Sequence, residues 1–221
     1  MDKINFTPFT EDMKSTHTIL IPGMLPLHFS LLQAALTSCG YKAEILQNTG
    51  REVIETGLKY VNNDICYPAL LVIGQLINAL ESGKYDLQHT ALIISQTGGG
   101  CRASNYIFLL RKALEKAGLT HIPVISLNVN GLEKQPGFNL NATMLRKFLA
   151  AVVYGDALMY LTNKLRPYEV VQGAADQLAQ KWLTKLGKAF QSGKAQALSS
   201  IKSFTHAIAS EFAELPITSQ E

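Results

Sequence analysis

Two cysteines in the sequence lie in loops just before predicted helices. Cys101 follows a run of three glycines in ISQTGGGCRASNY, residues 94–106, and Cys66 lies in YVNNDICYPA, residues 60–69, shortly before Pro68. The first turn of a helix directs free amide groups and partial positive charge at its N-terminus, and both stabilise a thiolate. Thiolate is the form of cysteine that attacks electrophiles and binds metal ions. The two segments therefore make Cys66 and Cys101 candidates for either kind of chemistry.

The residues next to Cys101 add space and charge to this loop. Gly98, Gly99 and Gly100 carry no side chains, so their backbone amides can lie close to a large group. Arg102 places a positive charge beside the thiol. The spacing matches neither GxGxxG nor GxxxxGK[ST], so a nucleotide-binding loop of either type has weak support. The loop could hold an iron–sulfur ligand, a nucleophilic cysteine or a phosphate group; a tight turn around a small buried cysteine is the purely structural alternative.

The remaining cysteine and the histidines give weaker signals. Cys39 lies at the end of a predicted helix, where the partial negative charge opposes a thiolate, so a structural role is favoured. His17 and His28 flank the first predicted strand and could reach the same loop edge, although a surface or core position is the more common role for a histidine. The sequence has no CxxC, GxSxG or HExxH motif.

Four short apolar runs predict the strands of a parallel sheet. Each is rich in leucine or β-branched residues and bounded by Pro, Gly, Asn or Ser, as strands covered on both faces are. The predicted strands are Thr18–Ile21, Ala43–Leu46, Ala91–Ser95 and Pro123–Leu127, and the predicted helices between them are Leu27–Cys39, Ala69–Glu81 and Ser104–Ala117. This alternation is typical of a Rossmann-like, doubly wound α/β fold. In such a sheet the loops that carry Cys66 and Cys101 gather at one edge, where ligands bind.

The composition changes after the fourth predicted strand. Residues 128–141 are rich in Asn, Gly and Pro and predict a long loop. Helical patterns follow at Ala142–Leu165, Gln172–Leu186 and Ala195–Phe212, and no strand pattern returns. We therefore expect a Rossmann-like domain with the cysteine loops over residues 1–140. A mostly helical region over residues 141–221 should pack on it or extend from it.

Composition and charge exclude several classes of function. Hydrophobic residues make up 47% of the chain, and the net charge is +3 without a basic run, which argues against a nucleic-acid partner. The first 16 residues lack the apolar stretch of a signal peptide. The longest apolar run, Phe148–Val153, is far shorter than the ~20 residues that span a bilayer. Three cysteines are also few for a disulfide-stabilised secreted fold. These features predict a cytoplasmic protein that does not enter a membrane.

Five segments together resemble one protein family. They are FTEDMKSTHTILIPGMLPLHF at residues 9–29, the Cys66 segment at residues 57–86, the glycine–cysteine segment 94–106, IPVISLN at residues 122–128 and YGDALMYLTNKLRPYE at residues 154–169. These segments resemble the acyl-CoA dehydratase activase-related proteins, which are related to the 2-hydroxyacyl-CoA dehydratase subunits and to the double-cubane cluster proteins. The Cys-Tyr-Pro and Gly-Gly-Gly-Cys-Arg motifs are the most specific parts of the resemblance.

The resemblance implies an iron–sulfur cluster of the [4Fe–4S] type, bound between Rossmann-like domains by Cys66 and Cys101. In the hydroxyacyl-CoA dehydratases such a cluster takes one electron from an ATP-driven activator and lends it to a thioester. The ketyl radical that results allows water to leave. The resemblance thus implies low-potential electron transfer, and it makes the chain a candidate component of a dehydratase-like lyase or of its activase.

Further contacts to the cluster are implied for residues around the two cysteines. The glycine amides would donate hydrogen bonds to the cluster's sulfides, the arginine would offset its charge, and the amide side chains would orient groups at its rim. These residues are Gln96, Gly98, Gly99, Gly100 and Arg102 near Cys101, and Asn62 and Asn63 before Cys66.

The length of the chain bears on its partners. Members of this family are longer, and a further α/β domain that provides another cysteine follows the region matched here. We therefore expect a fragment or an isolated domain that needs another α/β domain or subunit, or a second copy of itself in an oligomer, to complete the cluster site. The alternative hypothesis is a non-catalytic domain that binds a nucleotide or the phosphates of CoA through the Gly98–Gly100 loop without a cluster.

Overall fold

A computed structural model of the protein describes residues 6–62, 64–96, 99–128, 133 and 135–218. Its strands are Thr18–Ile21 (β1), Lys42–Ile45 (β2), Thr90–Ser95 (β3) and Val124–Leu127 (β4). They form a sheet in the order β2-β1-β3-β4, in which every neighbouring pair is parallel. The predicted Rossmann-like sheet of four parallel strands is therefore confirmed, with each strand within one residue of its expected position.

The central strands are buried on both faces. In β1 and β3, Ile19, Leu20, Ala91 and Leu92 are fully buried. Such strands need helices on both sides of the sheet, because neither face can be left to water. The α-helices are Met13–Thr16 (α1), Pro26–Thr37 (α2), Arg51–Tyr60 (α3), Tyr67–Glu81 (α4), Tyr106–Lys116 (α5), Ala142–Leu165 (α6), Ala174–Gln191 (α7) and Leu198–Ala213 (α8). Short 3₁₀ helices lie at Leu87–His89, Arg102–Asn105 and Arg166–Tyr168. None of the helices described is long and apolar enough to cross a membrane.

The chain divides into two compact units. The first consists of Met1–Met24 and Gly40–Leu140 and contains the sheet with α3, α4 and α5. The second consists of Leu25–Cys39 and Asn141–Glu221 and contains α2, α6, α7 and α8. Helix α2 thus groups with the C-terminal helices, although its sequence lies within the α/β part of the chain.

Helix α4 is the central helix of the first unit, and α3 packs closely against it. Gly57 of α3 and Gly74 of α4 allow this approach: a Cβ atom on Gly57 would lie 2.5 Å from the carbonyl oxygen of Leu70, and one on Gly74 would overlap that of Val53. Helix α3 is absent from the sequence prediction, because Gly57 inside a short polar segment suggests a helix breaker. In the structure that glycine is the packing contact, and it helps to fix the start of α4 beneath the cysteine loop.

The second unit is a group of helices around aromatic residues. Trp182, Tyr154, Phe190 and Phe212 are fully buried there. The hydroxyl of Tyr154 donates a 2.7 Å hydrogen bond to the carbonyl oxygen of Ala195, which satisfies its polar atom inside the core. The predicted helix Ala142–Leu165 is confirmed with the same bounds. The next helix begins two residues later than expected, after Gly173, whose φ of +85° favours glycine.

Candidate functional site

Both candidate cysteines begin helices in the first unit. Cys66 is the N-cap residue of α4, and its carbonyl oxygen accepts hydrogen bonds from the amides of Ala69 and Leu70 at 3.0 and 3.3 Å. Cys101 is the N-cap residue of the 3₁₀ helix Arg102–Asn105, which leads directly into α5. Its sulfur accepts a 3.5 Å hydrogen bond from the amide of Ala103, a contact that stabilises a thiolate. The sequence predicts one continuous helix from Ser104, and the structure instead inserts this short turn before α5.

A tyrosine hydroxyl at the start of α5 contacts the thiol of Cys66. The Sγ of Cys66 lies 3.0 Å from the Oη of Tyr106, the first residue of α5. Burial, followed by the hydrogen bond and charge of Cys66 and by the charge of Cys101, raises the pKa of Tyr106 to about 12. The contact brings the start of α5, into which the Cys101 turn leads, to the start of α4. Tyr106 ends the glycine–cysteine segment but was not among the predicted site residues.

The glycine loop in front of Cys101 leaves open space. Among the described residues, no atom lies within 4 Å of the position that a Cβ atom would take on Gly99 or Gly100. The hydroxyl of Ser104 lies 3.1 Å from the carbonyl oxygen of Gly99 and 2.6 Å from that of Cys101, and so holds the loop against the helix start. The exposed thiol of Cys101 therefore borders a fixed backbone with room for a bulky group.

The structure describes only some of the other residues predicted to contact a cluster. The side-chain oxygen of Gln96 accepts a 2.8 Å hydrogen bond from the hydroxyl of Ser126 at the end of β4, which holds it at the carboxyl edge of the sheet. Asn62 lines a hollow of about 300 Å³ together with Asp64, Ile65, Asn105 and Leu109, between the Cys66 loop and the start of α5. Gly98, Asn63 and the side chain of Arg102 lie outside the described residues.

The cysteine pair is not part of a larger set of ligands in the described chain. Among those residues, no group of three or more His, Cys, Asp or Glu side chains could hold a metal ion. Cys39 directly follows Ser38, the C-cap of α2, and belongs to the second unit. On the described residues, the first unit thus supplies two thiols and a hydroxyl.

The two histidines considered in the sequence lie in different units. His17 precedes β1, and its ring lies 5.6 Å from that of His89, which precedes β3. Both therefore lie at the amino edge of the parallel sheet, whereas the Cys101 loop follows the carboxyl end of β3. His28 is buried in the second unit, where its Nε2 lies 2.9 Å from a carboxylate oxygen of Asp156. The structure agrees with the favoured core position for His17, since the parallel strands place its ring at the opposite edge of the sheet from the Cys101 loop.

A groove at the carboxyl ends of β1 and β2 was not predicted. Its volume is about 530 Å³, and its walls are mostly apolar. It is lined by Gly23, Met24, Asn48, Thr49, Gly50, Val53, Ile54, Tyr67, Pro68, Leu71, Val72 and Gln75. Gln75 lies at its base: its side-chain oxygen accepts from the amide of Gly23 and its side-chain nitrogen donates to the carbonyl of Asn48, both at 2.9 Å. In the sequence, a glutamine within the otherwise apolar segment of α4 was the sign that this helix is hydrogen-bonded to neighbouring loops.

Comparison of the chain with protein-family models, with curated proteins and with solved structures gives no match.

Proposed function

We propose that this chain is an iron–sulfur-cluster-binding domain of a cytoplasmic reductive system related to the 2-hydroxyacyl-CoA dehydratases and their activases. It would act in low-potential electron transfer as part of a larger protein or complex. One observation carries the proposal: Cys66 and Cys101 each begin a helix of the same unit, and Tyr106, the first residue of the helix that follows the Cys101 turn, lies 3.0 Å from the sulfur of Cys66. Two thiols at adjoining helix starts, at the edge where parallel sheets bind ligands, are a natural pair of metal ligands.

The residues around the pair suit that role. Each thiolate would be stabilised by the free amides at a helix start, and the amide of Ala103 already lies against the sulfur of Cys101. Gly99 and Gly100 leave the space that a bulky inorganic group needs. A bound [4Fe–4S] cluster would supply one-electron chemistry at a potential set by its protein surroundings. Arg102, next to Cys101 in sequence, adds positive charge that would balance the negative charge of a thiolate-ligated centre.

The proposal requires a partner. A [4Fe–4S] cluster takes four protein ligands, whereas the proposed site has two, Cys66 and Cys101, and the described residues contain no group of three or more metal-binding side chains. The remaining ligands would come from another α/β domain or subunit, or from a second copy of this chain in an oligomer. The electron donor would be an ATP-dependent activator protein, as the sequence resemblance implies.

Anaerobic reconstitution with iron and sulfide tests the proposal. The wild type, in which two copies of the chain can supply four cysteines, should take up iron and develop a broad absorption band at ~400 nm, where thiolate–iron clusters absorb. Cys66→Ala and Cys101→Ala should each lose the band and most of the iron. Cys39→Ala is the matched control and should keep both, because Cys39 belongs to the other unit.

Two results would contradict this assignment. One is an absence of iron uptake by the wild type, and the other is equal uptake by all three cysteine variants. Binding of CoA or inorganic phosphate that is indifferent to both cysteine substitutions would favour the alternative, a phosphate-binding glycine loop without a cluster.

A further inference from the structure

We infer that Tyr106 is a positioning residue of the cysteine site, whose hydroxyl donates a hydrogen bond to the ligand sulfur of Cys66 and thereby raises the reduction potential of the bound centre. This inference rests on the proposed function. It adds a residue that contacts no iron and acts through Cys66 alone.

The contact has the geometry that such a role requires. The Oη of Tyr106 lies 3.0 Å from the Sγ of Cys66. A thiolate bound to iron has no proton, so in the metal-bound site the phenol is the donor and the sulfur the acceptor. The direction of the hydrogen bond is thus determined by the chemistry of the ligand.

The hydroxyl is held in place by the packing of its own helix. Tyr106 is only 9% exposed and belongs to the apolar core of the first unit, together with Ile107 and Leu110 of α5. Cys66 packs against the edge of the same core. Because the ring cannot turn toward water without leaving this core, the hydroxyl stays directed at the sulfur.

A fixed donor at a ligand sulfur changes the energy of electron uptake. Reduction adds negative charge that is shared between iron and its sulfur ligands, and the positive end of the O–H dipole stabilises that charge. The stabilisation is larger at a buried site than in water, because the local dielectric constant is lower. Loss of the hydroxyl should therefore lower the reduction potential without removing a ligand.

The experiment compares reconstituted wild type, Tyr106→Phe and Tyr85→Phe. Tyr85 is the matched control, since its hydroxyl donates a 2.8 Å hydrogen bond to Glu44 and touches neither cysteine. Tyr106→Phe should bind as much iron as the wild type, but its midpoint potential in a dithionite titration should shift downward. Its iron–thiolate stretching bands in resonance Raman spectra should also shift. Tyr85→Phe should match the wild type in iron content, potential and spectrum.

The outcomes separate this inference from the proposed function. If the wild type takes up no iron, both fail. If it binds iron and Tyr106→Phe has the same potential and Raman spectrum, the inference alone is overturned. Should Tyr106→Phe not fold by circular dichroism, 3-fluorotyrosine at position 106 provides a second test. It keeps the ring and hydroxyl but is a stronger donor, so an upward shift supports the inference and an unchanged potential overturns it.

Discussion

Single residues at the site depend on neighbours that are distant in sequence. Cys66 and Tyr106 are 40 positions apart, and their contact exists only because α4 and α5 begin at the same end of the unit. The sequence predicted the cysteines, since each stands beside glycines, a proline or turn-forming residues before a helix. It could not predict the contact of the Tyr106 hydroxyl with Cys66, because that contact depends on the rotation of each helix about its axis.

Arg111 forms an ion pair with Glu133 in which the arginine is buried. The guanidinium of Arg111 lies 2.5 and 2.9 Å from the two carboxylate oxygens of Glu133, and Arg111 is only 4% exposed. Arg111→Met would leave the carboxylate of Glu133 without its cationic partner, so we expect the free energy of unfolding to fall by about 3 kcal/mol. Denaturant unfolding measures the change.

An exposed ion pair provides the control for this prediction. Arg166→Met breaks the contact between Arg166 and Asp176, whose side chains are 51% and 52% exposed. It should leave the free energy of unfolding almost unchanged, because water screens an exposed ion pair. Equal losses of unfolding free energy in the two variants would show that burial does not strengthen the Arg111–Glu133 pair.

The ring of His17 gives a prediction about pH. Burial, then the charge of His89, lowers the pKa of His17 below its usual 6.5, and the opposing effect of Asp86 is smaller. The folded protein therefore favours the neutral ring. Its contribution to stability is fully present above pH 6.5 and is lost as pH falls below 6.5 toward the lower folded pKa.

Unfolding curves at several pH values between 5 and 8 check this sign. The wild type should lose stability relative to His17→Gln as the pH decreases across this range. A stability difference between the two proteins that is independent of pH, or one that grows in favour of the wild type in acid, would contradict the assignment.

At the level of elements, the close packing of α3 on α4 holds the helix that presents Cys66. Gly74→Ala would place a methyl group against the carbonyl of Val53, so we expect a loss of at least about 2 kcal/mol in the free energy of unfolding. Gly187→Ala in α7 is the control. Its new Cβ atom would meet only Ala34, at 3.9 Å, and alanine is the better helix former, so that variant should be as stable as the wild type or more so.

The Gly74 variant also tests the link between packing and the site. If α3 holds α4 in place, Gly74→Ala should weaken iron uptake as well as stability, while Gly187→Ala should leave uptake unchanged. Normal iron uptake and an unchanged free energy of unfolding in Gly74→Ala would show that neither depends on the close packing of α3 on α4.

At the scale of the whole molecule, strand order explains why both cysteine loops lie at the carboxyl edge of the sheet. In the order β2-β1-β3-β4 the chain reverses direction across the sheet between β1 and β3, and ligands bind outside the carboxyl ends at such a point. Cys101 follows β3, and Cys66 begins α4, which connects β2 to β3. The sheet itself was predictable, because four short buried strands bounded by turn residues leave few alternatives.

Other features of the molecule could not be predicted in this way. Helix α3 has a glycine in its middle, and its stability comes from contact with α4. The grouping of α2 with the C-terminal helices depends on tertiary packing, such as the close approach of Gly155 in α6 to the ring of His28. Each depends on contacts between distant segments, which hydrophobic periodicity does not encode.

Mössbauer spectroscopy of protein reconstituted with ⁵⁷Fe tests whether Cys66 and Cys101 hold an iron–sulfur centre, because it reports the ligands and valence of the iron itself. The wild type should show the doublet of tetrahedral, sulfur-ligated iron in a cluster, and a Cys66→Ala/Cys101→Ala double variant should show none. The same doublet in the double variant, or only unbound iron in the wild type, would contradict the claim that these two cysteines hold an iron–sulfur centre.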